Sequence, residues 1–466
     1  MSTTSLARNR LGVFAVLFFV LSGVGPLMAT AGVITTAYAV TGLTSIPIAF
    51  VAVALLLGLF SVGYVAMARH ITNAGAFYAF ITRGLGRTPG IAAAIVALVA
   101  YNLLQVGLYG AFGPGAASYA ADKFGVHLAW WVWALGAWLV VTVLGVRRVD
   151  LNGRVLAVLL TCEVAVVVAI TVAGLLHPHA GRVSFATLYP SRLFVAGVGA
   201  ALVIAVLAFV GFEGAVVFGE EARHPRRTIP LATYTSLGLI MLVYAAASWA
   251  MAVHFGDTQV VGAARQLGPE TLFDMAPGRL ADAGRTLYLT SLFAALLAFH
   301  AFVARYLFAL AREGVLPPAL RHTTASGAPR VASLTQSAVG LLVIILYAAA
   351  GWDPMTKLFF WLGTTGGFGV LVLITATSGA VLGFFGRHTS GEPLWHRLIA
   401  PGLSLVLLLG VLYLVVRNYS TLLGVPPGHP AAWWFPLGYA LAIAFGLLWA
   451  VLLRAVSPQS YQRVGA

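Results

Sequence analysis

Apolar residues run for about twenty positions at a time along this chain, and polar residues collect into short intervals between the runs. A run of that length is what a helix needs to cross the hydrocarbon core of a bilayer, where few other backbone structures can satisfy their own amides. The pattern predicts twelve spans, near 11–36, 43–68, 89–119, 128–146, 152–176, 193–219, 230–254, 283–311, 331–350, 354–385, 397–416 and 432–454. Gly42, Pro89, Pro190, Pro230, Pro354 and Pro430 fall in or beside the connections, as helix-ending residues should. An all-α membrane protein follows.

Two of these runs are broken in the middle by glycine-rich backbone. The first break is Ser22-Gly23-Val24-Gly25-Pro26; the second, in the sixth span, is Val210-Gly211-Phe212-Glu213-Gly214. Lipid cannot satisfy the peptide groups that a break exposes, so a break survives where it lines a cavity. A matched pair in corresponding halves of a chain points to the binding site of a secondary transporter. The N-terminal end of a half-helix suits an anionic group such as a carboxylate, and the C-terminal carbonyls suit a cation or ammonium. A pocket between two breaks therefore fits a zwitterion or organic cation about the size of an amino acid. The competing explanation is that small residues let helices pack closely.

Only two acids lie within the predicted spans, Glu163 in the fifth and Glu213 at the second break. An ionised side chain at the bilayer centre costs about 2.5–3.5 kcal/mol on insertion scales, so such a residue faces a cavity, pairs, or holds a proton. Both are candidates for proton coupling; the alternative for each is a structural hydrogen bond. Tyr101, Asn102, Gln105 and Tyr109 recur about one helical turn apart along the third span, lining a solute path or bonding between helices. His300 is a candidate relay or a packing residue. Trp361 begins a polar interruption of the tenth span, Trp361 to Gly367, that could flex and gate.

Composition and charge narrow the class. The 466 residues are 60% hydrophobic and 9% charged, against about 25% charged in a soluble domain. Cys162 is the only cysteine, which excludes an intramolecular disulfide framework and a multi-cysteine metal site. No removable signal peptide is expected at the start, and neither end looks long enough for a signalling domain. The net charge of +14 follows the loops. With the N-terminus inside, nineteen Lys and Arg fall on the inner side, among them Arg8, Arg148 and Arg154, and eight on the outer. That excess marks the cytoplasmic side, so both termini are expected there, in the cytoplasmic membrane. The dispersal of charge argues against a nucleic-acid partner. The cluster Glu220 to Arg227 after the second break reads as a solvated, salt-bridged helix end or as part of a gate. Residues 70–87 fit a surface or re-entrant helix at the inner mouth. HExxH, GxSxG and GxxxxGK[ST] are all missing, so neither an enzyme nor an ATP-driven pump is expected, and no cofactor.

Three segments carry a family resemblance. FVGFEGAVVFGEEARHPRRTIP (209–230) resembles the sixth-helix signature of the amino acid–polyamine–organocation (APC) transporters. NAGAFYAFITRGLGR (73–87) is similar to that group's first intracellular loop, and RYLFALAREGVLPPAL (305–320) to the loop after its eighth helix. The resemblance implies a LeuT-like fold of two five-helix inverted repeats, at 11–176 and 193–385, plus two further helices at 397–454, all in one transporter domain. It implies that helices one and six are discontinuous and hold the substrate between them, through Ser22, Gly23, Val24 and Gly25 and through Phe209, Val210, Gly211, Phe212 and Glu213; Tyr101 and Gln105 are added to the candidate site by their spacing alone. Transport would be driven by protons or by exchange. Three departures stand out. Glu163 falls where some proton-coupled relatives carry a lysine. Pro26 seats an imino acid where amino acid transporters present a free amide, which brings amines level with α-amino acids. Leu207 stands where several relatives have a large aromatic, making Leu207 and Trp361 the candidate gate residues.

The expected function is a proton-coupled permease or exchanger for amino acids or biogenic amines and polyamines, with Glu213 answering the ammonium and Glu163 carrying the proton. A channel or a transport-fold solute sensor is the alternative.

Overall fold

The structure, a computed structural model, describes residues 6, 9–147, 149–388 and 391–465, with the backbone alone for 149–154. Arg8 and Arg148 lie outside the described residues, and the side chain of Arg154 is likewise left aside. Among the described residues every regular element is helical, apart from one isolated bridge that pairs Leu11 with Ala222.

Among the described residues eleven helices are long and apolar enough to cross a membrane. In chain order with one shorter helix they are α1 (Val13–Thr41), α2 (Ile46–Ala68), α3 (Arg87–Phe124), α4 (Trp130–Gly145), α5 (Val149–Leu176), α6 (Val198–Phe218), α7 (Pro225–Phe255), α8 (Gly278–Arg312), α9 (Arg330–Ala349), α10 (Pro354–Arg387), α11 (Trp395–Arg417) and α12 (Ala431–Val456). Helix α4 is the short one, 16 residues of continuous apolar helix at the fourth predicted span. The segment expected at the inner mouth forms its own helix, Phe77–Leu85, buried on nearly every side.

Proline and glycine set several ends. Helix α1 stops at Gly42, whose left-handed φ of 67° lets its N–H close on the Tyr38 carbonyl. Helix α7 begins earlier than the sequence pattern suggests, because Pro225 takes the first helical position and Pro230 is carried inside the helix. The interruption expected at Trp361 to Gly367 is not found: Leu362 to Gly367 are regular α-helix, since glycines buried against neighbouring helices pack closely without unwinding, and the irregular backbone of α10 lies earlier, in a π-helical stretch, Pro354–Trp361.

Helix α3 runs against α8, α10 and α12, while α5 packs on α1, α7 and α8. Lipid tails are as apolar as leucine, so close backbone approach replaces the hydrophobic drive between these helices. At Gly366 of α10 an added Cβ would lie 2.8 Å from the Ala100 carbonyl of α3, which only glycine permits. The apolar sides of α9, α11 and α12 remain largely uncovered, as a lipid-facing surface requires.

Candidate functional site

The first break is narrower than its sequence suggests. Ser22, Gly23 and Val24 stay helical, and the ladder is cut at Gly25, held at φ 59° and ψ 72°. Pro26 then opens the second half of α1 and has no N–H to return. In an unbroken helix the N–H groups of Leu27 and Met28 would reach the carbonyls of Gly23 and Val24. Instead Leu27 N–H donates to Glu163 Oε1 of α5 at 2.6 Å, and Met28 N–H donates to Ser291 Oγ of α8 at 3.1 Å. The Ser291 hydroxyl itself donates to Glu163 Oε1 at 2.6 Å. One carboxylate oxygen thus ties α1, α5 and α8 together, while Oε2 has no partner among the described residues.

The second break closes on itself. Helix α6 runs regularly to Ala208, turns at Gly211 with φ 115°, and resumes as a 3₁₀ stretch, Phe212–Phe218. Gly211 N–H donates to Glu213 Oε2 at 2.9 Å, and Tyr101 OH of α3 donates to Oε1 at 2.7 Å. Tyr64 OH of α2 donates to the Glu213 carbonyl at 2.9 Å. The two breaks touch: a Cβ on Gly211 would stand 3.1 Å from the backbone of Gly23 and Val24.

Against this junction lies a cavity of about 130 Å³. Gly23, Val24 and Val210 line it at the breaks, and Leu104, Leu207, Phe299, Phe359 and Phe360 wall it. It extends along the second half of α1 to Thr36 and Val40 and reaches Leu422. On the other side of the breaks the chain is sealed. Arg10 and Leu11 N–H donate to the Glu221 carbonyl at 2.9 and 3.0 Å, and Arg223 N–H returns to Leu11. Glu221 and Arg305 form a buried bidentate pair, with the Arg305 guanidinium 4.6 Å above the Phe218 ring. Arg312 holds both oxygens of Glu220 at 2.6 Å, and Glu313 accepts from Asn73 and from Gly465 N–H. The charged cluster after the second break is therefore an ion-pair network, buried at Glu221 rather than solvated. Burial pushes the Glu313 carboxyl above its usual range, against its hydrogen bonds from Gly465 and Asn73.

Residues 11–450 match the sequence profile described as amino acid permease. The chain belongs to the amino acid permease family. Among curated proteins it is similar to the low-affinity putrescine importer of Escherichia coli, 25% identical over 294 residues, 60% of this chain and 62% of that protein. It is also similar to the branched-chain amino acid permease of Lactococcus lactis, 23% identical over 208 residues, 41% of this chain and 42% of that one. The chain thus aligns with less than two thirds of the length of either relative. The permease family and these relatives sit within the APC superfamily that the three sequence segments resemble, and with eleven apolar helices this is a multi-pass membrane protein.

Within this family member the residues singled out from sequence separate into three places. Gly23, Val24, Val210 and Leu207 line the cavity. Gly25, Gly211, Glu163, Glu213 and Tyr101 form the breaks and their caps and are not among the residues that line the cavity. Ser22 is buried one residue before Gly23, and its hydroxyl has no partner among the described residues. The rest stand further off. Phe209 packs on Phe50 and Tyr244, and Phe212 on Phe60. Gln105 bonds Tyr109 and Gln336, His300 bonds Ser333, and Trp361 donates to the Leu423 carbonyl beside His429 and Phe435. Phe299, Phe359, Phe360 and Leu104 went unremarked in the sequence, since an apolar residue in an apolar run carries no local mark. Only the nearby polar interruption after Phe360 pointed to that stretch of α10.

Proposed function

We propose that this chain is a secondary active carrier, a proton-coupled permease or exchanger for amino acids or biogenic amines in the cytoplasmic membrane. The observation that carries this is the contact of two helix breaks at the floor of one cavity, with the buried Glu221–Arg305 pair and its neighbours closing the side away from the cavity. Such a chamber, closed toward one face and extending toward the other, is one of the two states alternating access requires. Its position between matched breaks supports the reading of two five-helix inverted repeats with α11 and α12 added. On that reading α4 is the twelfth span, and the Arg-rich sealed side faces the cytoplasm together with both termini.

Glu163 is the coupling group in this scheme. A proton on its free Oε2 weakens Oε1 as an acceptor and loosens α1 from α5 and α8, so loading and rearrangement are linked. Glu213, held by Tyr101 and Gly211, preserves the second break. Uptake by purified protein in proteoliposomes should saturate with substrate and follow an imposed pH gradient, and Glu163→Gln should remove the pH dependence while the protein still folds. Flux that never saturates would mean a channel, and binding without flux would mean a sensor. A pH dependence untouched by Glu163→Gln would take the proton elsewhere.

A further inference from the structure

We infer that the site is built for a monocationic amine with an apolar body and no carboxylate, an inference that rests on the carrier reading and names its passenger. The amide ends of the broken helices are where a substrate carboxylate would be clamped. In this chain both are occupied by its own carboxylates. Glu163 Oε1 holds Leu27 N–H, and the Ser291 hydroxyl that donates to it holds Met28 N–H. Glu213 Oε2 holds Gly211 N–H. Pro26 offers no amide at all. A second carboxylate would have to displace Glu163 or lie beside it without donors, and like charges side by side in an apolar interior repel.

The carbonyl end is the opposite case. Because Leu27 and Met28 turn their N–H groups to α5 and α8, the Gly23 carbonyl loses its helical donor, and no other hydrogen bond reaches it among the described residues. The Val24 carbonyl receives only a long contact, 3.4 Å, from Tyr244 OH. Both residues line the cavity. Carbonyl dipoles at the C-terminal end of a half-helix attract an ammonium.

The walls decide the remainder of the molecule. Of the lining side chains only Thr36 and Thr364 carry a polar atom, and none is acidic. Leucine and phenylalanine side chains around the ammonium position accept an alkyl or aryl group. A diamine would bury its second ammonium without a partner, so putrescine is a poor fit.

Titration calorimetry on the purified, full-length protein distinguishes these classes by paired ligands: leucine with isopentylamine, phenylalanine with phenethylamine, and putrescine. Each monoamine should bind about tenfold or more tighter than its parent amino acid, with putrescine weaker than isopentylamine. In Glu163→Ala, which frees the Leu27 amide, the amino acids should gain and the ratio should shrink. If that variant does not fold, Ser291→Ala frees Met28 N–H alone and should shrink the ratio less. Wild-type binding of either amino acid as tight as its amine, putrescine as the tightest ligand, or no binding of either monoamine overturns the inference. The carrier reading fails differently, by tight amine binding with no uptake into proteoliposomes; preferred uptake of the amino acids would keep the carrier and discard the amine.

Discussion

The two helix breaks solve one problem by different routes. At the second, the stranded amide of Gly211 is capped by a carboxylate only two residues further along the chain. At the first, the amide of Leu27 is capped by Glu163, 136 residues away, and that of Met28 by Ser291, 263 residues away. A cap made within a turn travels with its helix wherever the helix moves. A cap supplied by α5 and α8 exists only while those helices keep their position against α1. The second break is a fixed joint; the first reports on the arrangement of three helices, which is where the proposed mechanism has a proton act.

Each side of that comparison can be broken. The largest effect is expected where the chain beyond the second break is locked to α8. Arg305→Ala leaves Glu221 buried and unpaired, a loss of about 3–5 kcal/mol, read as a lowered unfolding midpoint in detergent. A midpoint within a degree of wild type would mean the pair does not seal that side. Next come the caps themselves. Glu163→Ala and Glu213→Ala each strand a buried amide and a hydroxyl, and each should cost about 1–3 kcal/mol per stranded group. Only the first should also change the pH profile of uptake; equal profiles in both variants would mean that the two caps do not differ in their response to protons. The partner hydroxyls differ between the two breaks. Ser291→Ala removes a hydroxyl donor and strands the Met28 amide as well, about 1–3 kcal/mol, whereas Tyr101→Phe removes one donor alone, about 1 kcal/mol, and only Ser291→Ala should alter transport.

The smallest expected effect concerns Glu313, outside the spans at the sealed side. Its folded carboxyl titrates above the usual 4.5, so the folded state holds a proton that the unfolded chain releases first. Stability from this group is therefore complete below about pH 4.5 and declines as pH rises through the raised value. Glu313→Gln should flatten that decline in melting curves taken across the range, and an unchanged slope would assign it to another group.

Much of this was legible beforehand because it rests on local chemistry. Apolar run length announces the eleven membrane-length helices found among the described residues, and also α4, which at 16 residues is shorter than a spanning helix. Gly25 beside Pro26, and Gly211 beside Glu213, mark their breaks from composition alone, and the two intramembrane acids are conspicuous in any apolar run. Less legible was the extent of each break: five residues at the first looked unwound, while the fold confines the interruption to Gly25. The cavity walls were hidden altogether. Phe299, Phe359 and Leu104 differ in no local way from their apolar neighbours, and Tyr101 gives no sign that its partner is Glu213, 112 residues on.

What the amino-acid order determines by itself is where the chain crosses an apolar phase and where it cannot remain helical, since both depend on residues a few positions apart. What only the tertiary structure decides is which end of each break is already satisfied. Hydrogen bonds are short and directional, and the groups that complete them at the first break come from helices folded against it from far along the chain. Glu163 is visible in the sequence as an acid in the wrong solvent; only the fold makes it the cap on Leu27 and leaves the Gly23 carbonyl without its helical donor.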